Sequence, residues 1–194
     1  LCSTHFYDLR RGVPKMSPAL LSKRLKTLTR AGVVERAEID GRTTYSLTEC
    51  GQELAGIVTA LGAWGVRWIG ELGEADLDPH LLFWDMRRTI PIENWPRSRT
   101  TVAFILDGVA VKASRWWLVV SDGQADVCDF DPGYDVTGTV ETSLRTLTRI
   151  WRGDQGWTHA VLDGSVALSG PGDVRRAIPK WLGQSASAAV PRPA

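Results

Sequence analysis

Apolar residues in the first third of the chain recur at helical spacing. Leu21, Leu25 and Leu28 are four and three residues apart, so they share one face of a helix. Ser17-Pro18 supplies an N-cap followed by a proline at the first helical position, and Gly32 is a typical residue to end the helix. The pattern therefore predicts a helix over residues 18–31.

The segments around this helix predict one more helix and a hairpin. Residues 6–12 read as a short helical turn that ends at a glycine. Residues 33–39 and 42–47 flank Asp40-Gly41, a two-residue signal for a type I′ turn. A helix, a short connection, a second helix and a hairpin, in this order, predict a winged helix-turn-helix.

In this layout the second helix enters the major groove of DNA, and residues near its N-terminus meet base edges. The hairpin forms a wing beside it, where basic side chains contact phosphates without reading sequence. The residues expected at base edges are Ser17, Ala19, Ser22 and Lys23, and those expected at phosphates are Lys26 and Arg42. On spacing alone, an ordinary solvated helix beside a hairpin explains the pattern equally well.

Residues 48–72 predict one long helix with an unusual apolar stripe. Leu54, Leu61 and Trp68 are seven residues apart, and Ile57 and Trp64 form a second row beside them. Such a pattern suits a partner helix, so we expect a homodimer through this segment, because a palindromic DNA site needs two recognition helices. The alternative is packing against the chain's own domain.

The rest of the chain predicts an α+β domain with a mainly antiparallel sheet and covering helices. Asp107-Gly108 and Asp122-Gly123 separate the first three strands, which indicates an antiparallel meander. A polar stretch over 70–79 marks the boundary, so the expected domains are 1–75 and 76–184, with a disordered Pro-rich tail over 185–194. The expected strands are 100–106, 116–120, 125–130, 136–140 and 165–169, and the expected helices are 78–89, 141–151, 157–162 and 173–182.

Four sequence blocks of the first domain resemble the HxlR-type winged-helix transcriptional regulators. The blocks are FYDLRRG at 6–12, MSPALLSKRLKTL at 16–28, AGVVER at 31–36 and YSLTECGQEL at 45–54. The resemblance spans about residues 3–70 and implies a dimeric regulator of the bacterial cytoplasm that binds double-stranded DNA. Members of this family normally carry a further N-terminal helix that helps to form the dimer. Since the chain begins at Leu1, we expect an upstream segment.

The second domain resembles the sterol carrier protein two fold. Residues 134–153 and 161–174 carry a strand, a helix, a short helix, a Gly-flanked strand and the start of a closing helix in the order of that fold. The resemblance covers about residues 76–184. It implies a sheet covered by helices around an apolar tunnel for lipid-like ligands, with no catalytic chemistry.

Tryptophan content also favours an apolar small-molecule ligand in this domain. All nine tryptophans lie at or beyond Trp64, and seven fall within the second domain. So many large rings suit a pocket lined by aromatic residues, although a solid aromatic core is the alternative. The residues expected to line the pocket are Phe83, Met86, Trp116, Leu147, Trp151 and Trp181.

Charge is distributed unevenly, which favours DNA contact by the first domain alone. Residues 1–44 hold nine basic and four acidic residues, whereas residues 76–194 hold thirteen basic and fourteen acidic residues. This distribution is typical of a chain in which only one domain meets a polyanion. No apolar run of membrane-spanning length and no secretory signal occur in the sequence, so we expect a cytoplasmic protein without membrane contact.

A search for catalytic and metal-binding motifs returns none. The three histidines and three cysteines lack metal-ligand spacing, and no GxSxG, GxGxxG or P-loop pattern occurs. Asp126, Asp129, Asp131 and Asp135 are better explained as solvated strand-end acids than as a cation site. We therefore expect no enzyme activity, cofactor or metal. The preferred function is a ligand-controlled transcriptional regulator, and the alternative is a carrier of hydrophobic ligands that dimerises through its N-terminal domain.

Overall fold

The computed structural model describes residues 5–69 and 71–193. The chain divides into two compact units. The N-terminal unit is Leu1–Ile69, with which Arg192–Ala194 are grouped, and the C-terminal unit is Gly70–Pro191. This division lies six residues before the boundary expected from the sequence.

The N-terminal unit has the element order of a winged helix-turn-helix. Two strands pair antiparallel, with Val34 opposite Leu47 and Ile39 opposite Arg42. The predicted winged-helix layout is therefore confirmed. Its elements are α1 Phe6–Arg11, α2 Pro18–Arg30, β1 Val34–Ile39, β2 Arg42–Leu47 and α3 Glu49–Trp68.

Local chemistry accounts for these boundaries. Ser17 Oγ accepts a hydrogen bond from the backbone N–H of Leu20 at 3.2 Å and caps α2, while Pro18 occupies the first turn. Asp40 and Gly41 both have positive φ, at 52° and 72°, as a type I′ turn requires. Thr48 Oγ1 accepts from Gly51 N at 3.1 Å and begins α3.

The C-terminal unit is a five-stranded sheet with helices, which confirms the predicted α+β class. The strand order is β5-β4-β3-β6-β7, and every neighbouring pair is antiparallel except β3 and β6. The antiparallel meander that the sequence predicts is formed by β3, β4 and β5. The elements are α4 Pro79–Thr89, β3 Thr100–Asp107, β4 Arg115–Ser121, β5 Gln124–Cys128, β6 Gly138–Ser143, α5 Leu144–Arg152, α6 Trp157–Leu162, β7 Val166–Ser169 and α7 Gly172–Leu182.

The strands β5 and β6 differ in their bounds from the sequence-based expectation: β5 ends at Cys128 rather than at residue 130, and β6 begins at Gly138 rather than at residue 136. Residues 141–143 were expected to begin a helix, but β6 continues to Ser143. Thr142 pairs with Val166 of β7, and its hydroxyl donates to the Ser165 carbonyl at 2.7 Å. Ser143 then caps α5 by accepting from Thr146 N. Pairing with a distant strand thus overrides the local helical pattern.

The two faces of this sheet have different surroundings. The face that carries Trp116, Leu118 and Val120 of β4 packs into one core with α4, α5 and α7. Because side chains alternate along a strand, Trp117 and Val119 lie on the opposite face, which we call the outer face. The two adjacent tryptophans, Trp116 and Trp117, therefore lie on opposite faces of the sheet.

The segment after α7 contains ordered structure, in contrast to the disordered tail expected from its composition. Ala186–Ala189 forms a 3-10 helix. Ser185 N donates to Trp151 O at 2.9 Å, and Gln184 Nε2 donates to Ile150 O at 3.1 Å. These bonds satisfy carbonyls at the end of α5, which explains why a Pro-rich segment is held in place.

Candidate nucleic-acid interface and ligand pocket

Helix α2 divides into a buried face and an exposed face. Leu21 and Leu25 are each 7% exposed and contribute to the core of the N-terminal unit with Val34 of β1. Leu28, expected in the same stripe, is 39% exposed. The helix therefore leaves its polar side available to another molecule.

Four of the predicted DNA-binding residues form one exposed stripe on α2. Ala19, Ser22, Lys23 and Lys26 follow the spacing i, i+3, i+4 and i+7, which aligns side chains along one face. Ser22 is half-buried and the other three are exposed. Ser17 precedes them, and its oxygen is already engaged as the cap of the helix.

The wing places further cations at the surface. Arg42 begins β2 beside the Asp40-Gly41 turn and is exposed. Arg36 of β1 donates from Nη2 to Thr43 Oγ1 at 3.0 Å across the hairpin. Arg36 was not among the predicted residues. Its basic side chain and its position on a strand of the wing are the sequence signals that could have identified it as a DNA-binding candidate.

These cations are unpaired within their own unit. Lys23, Lys26 and Arg42 form no ion pair with any residue that the structure describes. No carboxylate therefore neutralises them, and their charge remains available to a polyanion.

Helix α3 carries an apolar stripe that its own unit leaves exposed. Gly51 is the buried residue of this helix. A row of large apolar side chains that is exposed to water is unusual unless a partner covers it. The exposed fractions along the stripe are 39% for Leu54, 65% for Ile57, 65% for Leu61, 57% for Trp64 and 60% for Trp68.

The six residues predicted to line an apolar pocket lie together in the core of the C-terminal unit. Each is at most 8% exposed. The Phe83 ring stacks on Trp116 with centroids 4.7 Å apart, and it meets Phe104 edge-on at 4.9 Å. Phe83, Met86, Trp116, Leu147, Trp151 and Trp181 all belong to the same buried cluster.

Hydrogen bonds hold the tryptophan rings of this core. Trp151 Nε1 donates to Asp85 Oδ2 at 2.9 Å, which joins α5 to α4. Trp116 Nε1 donates to Ala113 O at 2.9 Å, and Trp95 Nε1 donates to Trp181 O. Each of these three indoles therefore has a polar partner as well as apolar neighbours, which favours one fixed packing.

A separate pocket of 410 Å³ lies on the outer face of the sheet. None of the six core residues lines it. Sequence reasoning missed this site because its walls come from positions far apart along the chain. The residues that shape it include Arg99, Val119, Asp126, Phe130, Pro132 and Tyr134.

The acidic residues near this pocket do not form a metal site. Asp126 Oδ1 accepts from Arg87 Nε at 3.1 Å, and Asp131 Oδ1 accepts from Gly133 N at 2.8 Å. Over residues 5–69 and 71–193, no group of three or more His, Cys, Asp or Glu side chains could hold a metal ion.

In the same part of the chain, no helix combines the length and apolarity needed to cross a membrane. Cys2 falls outside the described residues.

The N-terminal unit thus has the fold and exposed cations of a winged helix-turn-helix DNA-binding domain. Its residues 2–72 match the HxlR-like helix-turn-helix family, which confirms the predicted resemblance for this segment.

Two curated relatives support this match. A Bacillus subtilis protein described as the uncharacterized HTH-type transcriptional regulator YvaP is 39% identical over 70 residues. An uncharacterized HTH-type transcriptional regulator of Methanothermobacter thermautotrophicus is 33% identical over 63 residues. The matches span 34% and 31% of this chain, and 65% and 48% of the relatives' own lengths.

The solved structures that are similar to the chain include two whose titles contain SCP2 or sterol carrier protein 2. The UbiJ-SCP2 ubiquinone synthesis protein is 19% identical with a TM-score of 0.36, covering 66% of this chain and 90% of its own. Sterol carrier protein 2 from Yarrowia lipolytica is 10% identical with a TM-score of 0.38, covering 58% and 98%. The sec-alkylsulfatase Pisa1 from Pseudomonas sp. is 17% identical with a TM-score of 0.45, covering 57% and 17%.

Proposed function

We propose that this protein is a cytoplasmic transcriptional regulator that binds double-stranded DNA through α2 and the β1-β2 wing. The observation that carries the proposal is the exposed stripe of Ala19, Ser22, Lys23 and Lys26 opposite the buried leucines of α2. A helix with this division can lie in the major groove while its apolar face stays in the protein core.

Different residues serve affinity and sequence preference. Ser17, Ala19, Ser22 and Lys23 occupy the first two turns of α2 and its cap, where side chains reach base edges. Lys26 lies further along the helix and Arg42 lies on the wing, where cations contact the phosphate backbone. Phosphate contacts fix the position of the protein on DNA, and base contacts select the sequence.

We propose that two copies associate through the exposed stripe of α3. Leu54, Ile57, Leu61, Trp64 and Trp68 recur at coiled-coil spacing, and burial against a second α3 removes their side chains from water. A two-fold pair of recognition helices would then match a palindromic site.

We further propose that the C-terminal unit is an effector domain for an apolar small molecule. The support is the aromatic core around Phe83, Trp116 and Trp151. These residues are buried in one cluster, so we expect a ligand at this position to move α4, α5 or α7 away from the sheet. Such a movement would couple ligand binding to a change in shape.

The test of DNA binding is a gel shift with the DNA upstream of the protein's own coding sequence, repeated over a salt series. Lys23→Ala should weaken binding by about 10- to 100-fold and change the base preference at one position. Arg42→Ala should weaken binding to all sequences alike and lower the salt slope by about one.

Lys112→Ala is the matched control, because Lys112 is an exposed lysine in the C-terminal unit. It should leave DNA affinity unchanged. Full operator affinity in both the Lys23 and the Arg42 variants would contradict the proposed interface. It would then favour the alternative of a hydrophobic-ligand carrier that dimerises through its N-terminal unit.

A further inference from the structure

We infer that the pocket on the outer face of the C-terminal sheet binds a small aromatic carboxylate. The inference rests on the proposal that this unit is an effector domain. It adds a second ligand site, separate from the aromatic core, and names the chemistry of the ligand of that site.

The pocket is built by the connection between β5 and β6. This connection must pass β4 and β3, because β6 lies on the far side of β3 in the sheet order. Phe130, Pro132 and Tyr134 of this connection line the pocket together with Val119 of β4, so the connection crosses the outer face. The result is a pocket with the sheet as its floor and the connection as a wall.

The connection is fixed to the sheet beside the pocket. Thr137 N donates to Thr101 O at 2.8 Å, and Thr101 N donates to Thr137 Oγ1 at 3.2 Å. Thr101 lies opposite Val119 in the strand register and is 1% exposed, although it faces outward. The two hydrogen bonds therefore hold the end of the connection against β3.

One cation of the pocket lining, Arg99, is available to an anionic group of a ligand. Arg99 lies over the Tyr134 ring, with the guanidinium carbon 4.3 Å from the ring centroid. No described carboxylate forms an ion pair with Arg99. The acidic lining residue, Asp126, is paired with Arg87, which reaches it from α4. Arg99 is therefore the cation that remains for a ligand, and its planar group suits a carboxylate.

The rest of the lining favours an aromatic body for that ligand. Phe130 is 67% exposed and Tyr134 is 42% exposed, so both rings keep exposed surface beside the pocket, although Arg99 covers one face of Tyr134. A planar ring can stack on them while its carboxylate meets Arg99. The volume of 410 Å³ lies within the usual range of small-molecule sites, and it suits a compound of one or two rings.

The test is isothermal titration calorimetry of the full chain, without DNA, using 2-naphthoate as the probe. Naphthoate should bind one site per chain, and Arg99→Gln should weaken it about tenfold or more through loss of the charged hydrogen bonds. Phe130→Ala should weaken it by a similar factor. The neutral analogue 2-naphthamide should bind weakly and respond little to Arg99→Gln.

Arg97→Gln is the matched control, because Arg97 is also exposed and does not line the pocket. It should bind naphthoate like the unmodified chain. Absence of naphthoate binding, or equal binding by the Arg99, Phe130 and unmodified chains, would overturn the inference.

A gel shift with and without naphthoate separates this site from its regulatory role. A change in DNA affinity that Arg99→Gln abolishes supports both the site and the effector proposal. Arg99-dependent naphthoate binding with no change in DNA affinity supports the site and contradicts the effector proposal.

Discussion

Replacing Leu61 by aspartate places a charge at the centre of the apolar stripe of α3. Leu61 is 65% exposed, so the substitution disturbs little within the chain itself. In a two-fold dimer, each copy would bury its carboxylate against apolar side chains with no positive partner supplied by the stripe. The substitution therefore separates an effect on association from an effect on folding.

The expected magnitude follows from the exposed fraction. Full burial of a leucine side chain contributes about 1.5–3 kcal/mol. With 65% of Leu61 available for burial, its loss costs about 1–2 kcal/mol in each copy. Two copies contribute about 2–4 kcal/mol, which corresponds to a roughly 30- to 1000-fold weaker dimer before any desolvation of the carboxylates.

Sedimentation equilibrium over a range of protein concentrations measures this change directly. Leu162→Asp is the matched control, because Leu162 is 83% exposed on α6 of the C-terminal unit and should leave association unchanged. Circular dichroism should show both variants folded. An Leu61→Asp protein with the same dimer dissociation constant as the unmodified chain would refute the proposed α3 interface.

Two pairs of glycine substitutions test packing by thermal and denaturant unfolding. Gly51→Ala should lower the free energy of unfolding by about 1–3 kcal/mol, because a Cβ there would lie 2.1 Å from the Val33 carbonyl oxygen. Gly62→Ala is the control in the same helix, because a Cβ there meets nothing within 4 Å. It should be neutral or stabilise the fold by up to about 1 kcal/mol. Equal effects of the two substitutions would contradict the close contact between Gly51 and the Val33 carbonyl. Gly153→Ala should destabilise more than Gly164→Ala, since both have positive φ but only Gly153 also meets Ala188 of the tail. A Gly153 effect no larger than the Gly164 effect would show that the tail is not docked there.

The elements of the N-terminal unit could be predicted closely from the amino-acid sequence, because the signals that define them are local. The Ser17-Pro18 start, the spacing of Leu21 and Leu25, and the Asp40-Gly41 turn each act within a few residues. Capping, helical periodicity and turn chemistry need no distant partner, so the elements could be predicted without a structure. The alternation of Trp116 and Trp117 was predictable for the same reason.

The features that join distant parts of the chain depend on the tertiary fold. The parallel pairing of β3 with β6, the extension of β6 to Ser143 and the docking of Ala186–Ala189 depend on partners far away in sequence. The packing of the predicted ligand residues into one core, and the pocket where Arg99 meets Tyr134, depend on which strands become neighbours. Strand order is set by the total burial and hydrogen bonding of the whole sheet, so no local pattern encodes it.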